Sequence, residues 1–179
     1  GQHFPFYRPA YRETYYTRHE TGGGAIQDAL THIINAAEWL VGPVTKLVAD
    51  AEHCLLEGVD VEDTVNVVTR HGSVLGSFSL NQHQPANEST LTVLCERGAV
   101  RFEGHNASWS SCVEPDSDWK IEEQFSLERD DLFVSQAKAF LSQLDGQSEA
   151  ACSLAEGLQT LRVNLASLES VDTESWKHL

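Results

Sequence analysis

The sequence predicts an α+β domain: an open mixed, mainly antiparallel β-sheet with helices packed on one face. Three patterns point there: a helix-period stretch behind three glycines, a long run of short β-patterned segments, and two helix-period stretches closing the chain. The length of 179 residues suits a single domain, 1–179, with a sizeable core. A hydrophobic content of 41% argues against disorder, and no run of 18 apolar residues reads as a membrane span. The net charge of −15 repels nucleic acid and anionic lipid, so neither nucleic acid nor membrane is an expected partner.

The elements follow in order. Residues 2–6 read as a short strand, and 7–16 as an irregular aromatic and arginine-rich segment with Pro9 inside it. After Gly22, Gly23 and Gly24, apolar residues at Ile26, Ala29, Leu30, Ile33, Ala37 and Leu40 keep helical spacing until Gly42-Pro43 ends the helix. Segments 44–52, 64–71, 74–82, 90–96 and 99–103 are rich in Val, Leu, Thr and Phe, with weaker strands at 107–111 and 119–125. The breaks at Gly72-Ser73 and Arg97-Gly98 read as hairpin turns. Together they make one sheet of six to eight strands. A helix over 130–144 carries the stripe Leu132, Phe133, Ala137, Phe140, Leu141 and Leu144. The last helix opens with a Ser153…Glu156 capping box and repeats Leu154, Leu158, Leu161, Leu165 and Leu168, a stripe expected to pack on the sheet. Residues 90–96 alternate into a mixed second face, which leaves a sheet-mediated homo-oligomer and a solvated face both open.

Charge and cysteine placement add two expectations. Residues 1–18 hold Arg8, Arg12 and Arg18 against Glu13 alone, so a cationic segment precedes a body of net charge −17. Cys54, Cys95, Cys112 and Cys152 lie 41, 17 and 40 residues apart, a spacing without a C-x-x-C pair that suits reduced thiols in a cytoplasmic protein. The absence of Met and the Gly-Gln-His start suggest that residue 1 is not a native beginning.

The stretch from Gly22 to Asn35 carries the most chemistry. Three glycines let the backbone turn sharply and approach a ligand, and the helix start behind them offers free N–H groups. Asp28 and His32, four residues apart, share a helix face that Asn35 continues. Such a pair suits a histidine that accepts and returns a proton, and equally an ordinary surface ion pair. The remaining histidines show no metal spacing, so no metal is expected. Asn81, Gln82 and His83 at a strand end are weaker substrate-side candidates.

The run G-G-G-x-x-x-D-x-x-x-H over residues 22–32 is followed by Trp39-Leu40-Val41-Gly42-Pro43, then by Asp60-Val-Glu-Asp63-Thr64 leading into a strand that ends His71-Gly72. With the closing Glu156-Gly157-Leu158 helix, this order resembles the C-terminal domain of the glucose-fructose oxidoreductase, inositol dehydrogenase and rhizopine catabolism (Gfo/Idh/MocA) family. The resemblance implies an NAD- or NADP-dependent oxidoreductase acting on a sugar, polyol or related hydroxy compound. In such a protein an N-terminal Rossmann domain, absent from these residues, holds most of the cofactor, so this chain binds none tightly. His32 and Asp28 match the family's substrate-side pair: His32 as proton acceptor or donor at the substrate hydroxyl, Asp28 as its orienting or substrate-binding partner. The family's E-K-P lysine and a G-x-G-x-x-G fingerprint do not occur here.

Two positions depart from the family's frequent D-x-G-x-H pattern with a further aspartate: Leu30 replaces the glycine, adding bulk beside the site, and Asn35 replaces the aspartate. Arg8, Arg12, Tyr15, Tyr16 and Arg18 are placed beside the same cleft, the first four as substrate-binding groups with Asn35, and Gly22, Gly23 and Gly24 as the approach to nicotinamide or substrate; equally open is that the arginines pair with the acidic body and the tyrosines pack at an interface. The competing reading is a non-catalytic ligand-binding or dimerisation module on the same scaffold.

Overall fold

Each predicted helix and strand segment from residue 25 onward forms, in the expected order. The computed structural model describes all residues, Gly1–Leu179. Helices are α1 (Phe4–Tyr7, one turn), α2 (Thr31–Val41), α3 (Asp131–Leu144) and α4 (Leu154–Thr173). Strands are β1 (Lys46–Glu52), β2 (Thr64–His71), β3 (Val74–Asn81), β4 (Thr90–Cys95), β5 (Gly98–Glu103), β6 (Ser108–Cys112), β7 (Lys120–Gln124) and β8 (Lys177–His178). They divide between two compact units, one of Gly1–Ala86 with Cys152–Leu179, the other of Asn87–Ala151.

The strands form two four-stranded sheets where a single sheet was expected, β3-β2-β1-β8 and β4-β5-β6-β7, with every pairing antiparallel. Residues 82–89 contribute only an isolated His3–His83 bridge, and Pro85 within them has no N–H to continue a ladder. In the first unit β2 alternates cleanly, with Val65, Val67, Thr69 and His71 buried and Asn66, Val68 and Arg70 exposed. Its inner face meets Ile26, Leu30, Ile34, Val44, Leu47 and Val163 in the main core.

Helix α4 is seated with the opposite face to the one its leucines suggest. Leu154, Leu158, Leu161 and Leu165 are exposed and only Leu168 of the stripe packs against the main core, whereas Thr160, Val163, Asn164, Ser167 and Ser170 are buried. The cause is polar: β8 pairs with β1 only at Lys46 and Leu47, so the rest of that strand edge needs partners. Ala49 N–H donates to Ser170 Oγ at 2.9 Å, and Ser170 Oγ donates to Ser175 O at 2.8 Å. Toward α2, the Thr160 hydroxyl donates to Glu38 Oε2 at 2.8 Å and Asn164 Nδ2 to Thr31 Oγ1 at 2.9 Å. Leucine can supply none of these bonds. The capping box at Ser153 and Glu156 forms as expected.

In the second unit β4 to β7 make a meander with a bulge between Trp109 and Ser110. The α3 stripe expected to pack does not: α3 buries no residue, and Leu132, Phe133, Phe140, Leu141 and Leu144 are exposed.

Candidate functional site

The N-terminal arm is held against the end of β3, where Gln2 N–H donates to Asn81 O and Phe4 N–H to Gln82 O. The strand expected at 2–6 shrinks to the His3–His83 bridge, because Pro5 supplies no ladder donor and favours the first turn of a helix. The irregular segment then coils through three single 3₁₀ turns at Tyr11–Glu13, Tyr15–Thr17 and His19–Thr21. Phe4, Tyr11 and Tyr16 pack with Leu56, Val59 and Val61 as a second small core. The loop that provides these aliphatics is pinned by Asp63, whose buried carboxylate accepts the N–H groups of Cys54, Leu55 and Leu56 and the Thr64 hydroxyl. Burial pushes its pKa up, but these donors outweigh that and hold it below the ordinary value.

The same loop explains the glycines. Gly24 has φ +93°, and a Cβ there would stand 2.5 Å from Glu62 Oε2 and 2.6 Å from Oε1. Gly23 lies against the Tyr16 carbonyl, while Gly22, at φ +88°, has open space around it. The buried Glu62 carboxylate accepts Ile26 N–H at 2.8 Å and pairs with His19 Nε2 at 2.5 Å. An internal anion therefore occupies the helix start that the sequence offered to a ligand. At Gly23 and Gly24 the close approach expected toward nicotinamide or substrate is made to the protein itself.

Beyond that start the backbone widens into a π-turn at Ile26–Leu30, closed by Thr31 N–H to Ile26 O. Nothing in the apolar spacing announces this extra residue, and such turns often mark functional sites. Asp28 sits in the turn. Its Oδ1 accepts the Tyr15 hydroxyl at 2.5 Å, so the aspartate is paired with the arm and makes no hydrogen bond to His32. His32, at the start of α2, is exposed and has no hydrogen-bond partner. The Tyr15 pKa is raised, first by that hydrogen bond to Asp28, then by desolvation and the aspartate's charge, with Arg8 opposing. The Tyr16 hydroxyl donates to the Gln82 side chain, and burial in particular raises its pKa.

A cleft of about 280 Å³ opens here, with Arg8, Tyr15, Tyr16 and Asp28 in its wall beside Phe4 and Tyr7. Four of the expected substrate-side residues thus converge. Others are placed elsewhere. Arg12 lies over the Tyr11 ring and donates through Nε to Glu57 O at 2.7 Å, clamping the 53–63 loop. Asn35 donates to Thr160 Oγ1 at 3.0 Å and ties α2 to α4. Leu30, expected to crowd the site, is in the main core at 1% exposure. Glu62 and Tyr7 were not singled out by the sequence reading, although the Asp60-Val-Glu-Asp63 run flagged the loop. No group of three His, Cys, Asp or Glu side chains is placed to hold a metal ion.

One carboxylate, four phenols (Tyr7, Tyr11, Tyr15 and Tyr16), a guanidinium and aromatic faces suit a small polar ligand with several hydroxyls. Fold and cleft together define an α+β domain with an open cleft beside its N-terminal arm. The family model described as "GFO/IDH/MocA C-terminal domain" matches residues 2–101, and the chain belongs to that family. Among solved structures it is similar to the WlbA dehydrogenase from Bordetella pertussis in complex with NADH and UDP-GlcNAcA. There the identity is 24% and the TM-score 0.74, over 96% of this chain and 50% of that one. It is also similar to levoglucosan dehydrogenase in complex with NADH and levoglucosan, at 19% identity and a TM-score of 0.82, over 93% and 53%. A third is an oxidoreductase from Thermotoga maritima, described as putative, at 17% and 0.77, over 92% and 50%. The chain spans about half the length of these structures, and at such identities the likeness establishes the fold. No curated protein matches.

Proposed function

We propose that the chain is the substrate-binding C-terminal half of an NAD(P)-dependent oxidoreductase acting on a sugar, polyol or related hydroxy compound. The observation that carries this reading is the Asp28 carboxylate, held by Tyr15 at a cleft of about 280 Å³, in a chain of this family. Asp28 retains Oδ2 for substrate hydroxyls, and the aromatic rings beside it offer faces to the C–H groups of a sugar. His32, one turn beyond Asp28 and exposed outside the cleft wall, takes the proton released when a substrate hydroxyl becomes a carbonyl and the hydride passes to NAD(P), and returns it in reverse. Arg12 and Asn35 act on the scaffold in this reading. The residues present do not fit a dinucleotide pyrophosphate, because the Glu62 carboxylate fills the glycine-opened helix start. In this reading the nucleotide is assigned to another domain of the whole protein, and the occupied helix start supports that assignment.

The test is turnover by the full-length protein with NAD or NADP and a panel of sugars and polyols. His32→Ala lowers kcat about 100-fold or more with a smaller change in KM, in line with a lost general base. Unchanged turnover would remove the acid–base role. The Tyr15–Asp28 pair favours a second reading, a binding module without catalysis: sugar binding that persists with no turnover in the full-length protein identifies it. A homo-oligomer through an open sheet face and a cytoplasmic location belong to the leading reading. Light scattering that found only monomer would remove the former. No helix is long and apolar enough to cross a membrane.

A further inference from the structure

Resting on the sugar-cleft reading, we infer that the preferred ligand is an acidic sugar whose carboxylate is held by Arg8. Of the three arginines in the arm, the structure leaves one at the cleft. Arg12 is committed to Glu57 and the Tyr11 ring, and Arg18 does not line the cleft. Arg8 lines it, is exposed, and its guanidinium makes no hydrogen bond or ion pair. That is notable in a chain with 27 acidic residues against 12 basic ones, and more so with a carboxylate, Asp28, in the wall of the same cleft. Asp28 is held by the Tyr15 hydroxyl instead, so one cleft presents a carboxylate and a guanidinium that are not joined as an ion pair.

Arg8 lines the same cleft wall as Tyr15 and Asp28, which puts the cation and the carboxylate in one cavity. A neutral sugar satisfies Asp28 through its hydroxyls but offers Arg8 no anionic partner. A uronic or aldonic acid uses both: hydroxyls on Asp28, and a carboxylate on the planar fork of Arg8, which binds such groups through two parallel N–H bonds. The volume of about 280 Å³ accommodates a single sugar ring and excludes a nucleotide sugar lying wholly inside it.

The test is calorimetric titration of the full-length protein with two matched pairs, D-glucuronate with D-glucose and D-galacturonate with D-galactose, for wild type, Arg8→Gln and Asp28→Asn. Arg8 is exposed, so the glutamine variant keeps the fold. The expected result is an acid at least tenfold tighter than its neutral partner, an advantage that Arg8→Gln reduces to within twofold. Equal affinity for acid and neutral sugar in wild type, or an advantage that survives Arg8→Gln, overturns the Arg8 inference. In either case, loss of all binding in Asp28→Asn keeps the cleft reading standing. Absence of binding by every member of both pairs overturns the cleft reading and this inference together.

Discussion

Replacing Gly24 by alanine probes the contact on which the whole glycine turn depends. The residue sits at φ +93°, and the new Cβ would stand 2.5, 2.6 and 2.8 Å from three atoms of the Glu62 carboxyl group. The backbone conformation alone costs about 1–2 kcal/mol for an L side chain. Moving the carboxylate aside also weakens its charged hydrogen bond from Ile26 N–H, a loss of about 1.5–3 kcal/mol. The expected destabilisation is about 3–5 kcal/mol in urea unfolding, read as a fall in midpoint at unchanged slope. Gly22→Ala is the control: its φ of +88° is similar, but nothing lies within 4 Å, so only the backbone cost of about 1–2 kcal/mol applies. In a Glu62→Ala background the excess cost at Gly24 shrinks, because the two changes share one contact. If the two glycine variants agree within about 0.5 kcal/mol, Glu62 does not fill the turn and the account of the glycines is wrong.

Asp63→Asn destabilises by about 2–4 kcal/mol at pH 7, since one amide oxygen replaces a carboxylate that takes four donors. Because the folded pKa lies below the ordinary value of 3.8, the aspartate's contribution is present above that value and lost as the pH falls through the folded one. The gap between wild type and variant in urea midpoints therefore narrows on acidification below about pH 4; a gap independent of pH refutes it. In a spectrophotometric titration of the four tyrosines, two ionise late because Tyr15 and Tyr16 are raised, and Tyr15→Phe removes one late step. For α4, Ser167→Leu costs about 1–3 kcal/mol by overpacking a fully buried position, while Leu161→Ala at 46% exposure changes midpoints by under about 1 kcal/mol; the reverse order refutes the seating of the helix. Arg12→Ala loosens the 53–63 loop, measured by faster amide exchange at Leu55 and Leu56, and leaves sugar affinity unchanged, in contrast to changes at the cleft.

Local pattern was enough to locate most of the elements. Alternation in 64–71 and the glycine-bearing breaks at Gly72-Ser73 and Arg97-Gly98 specify strands and hairpins through short-range geometry; the first turn forms as placed, and the second lies one residue earlier, at Glu96-Arg97, since Gly98 already pairs with Cys95. The Ser153 capping box likewise depends on residues three apart and forms as the sequence implies. That Asp28, Tyr15, Tyr16 and Arg8 would meet at one cleft was legible because aromatic, charged and glycine-rich positions cluster within the first 32 residues.

What local pattern could not decide was which groups at a distance would compete for each partner. The leucine repeat of α4 marks a helix, but the open edge of β1 demanded hydroxyl and amide groups, so Ser170, Thr160 and Asn164 took the buried face. The spacing of Asp28 and His32 suggests a pair, yet the arm brings Tyr15 to the aspartate across thirteen residues and leaves the histidine free. The glycine turn looks built for an external anion until the chain returns at Glu62, 36 residues beyond Ile26, and supplies that anion itself. Burying a donor, an acceptor or a charge without a partner costs more than most local preferences, so tertiary contacts set these assignments.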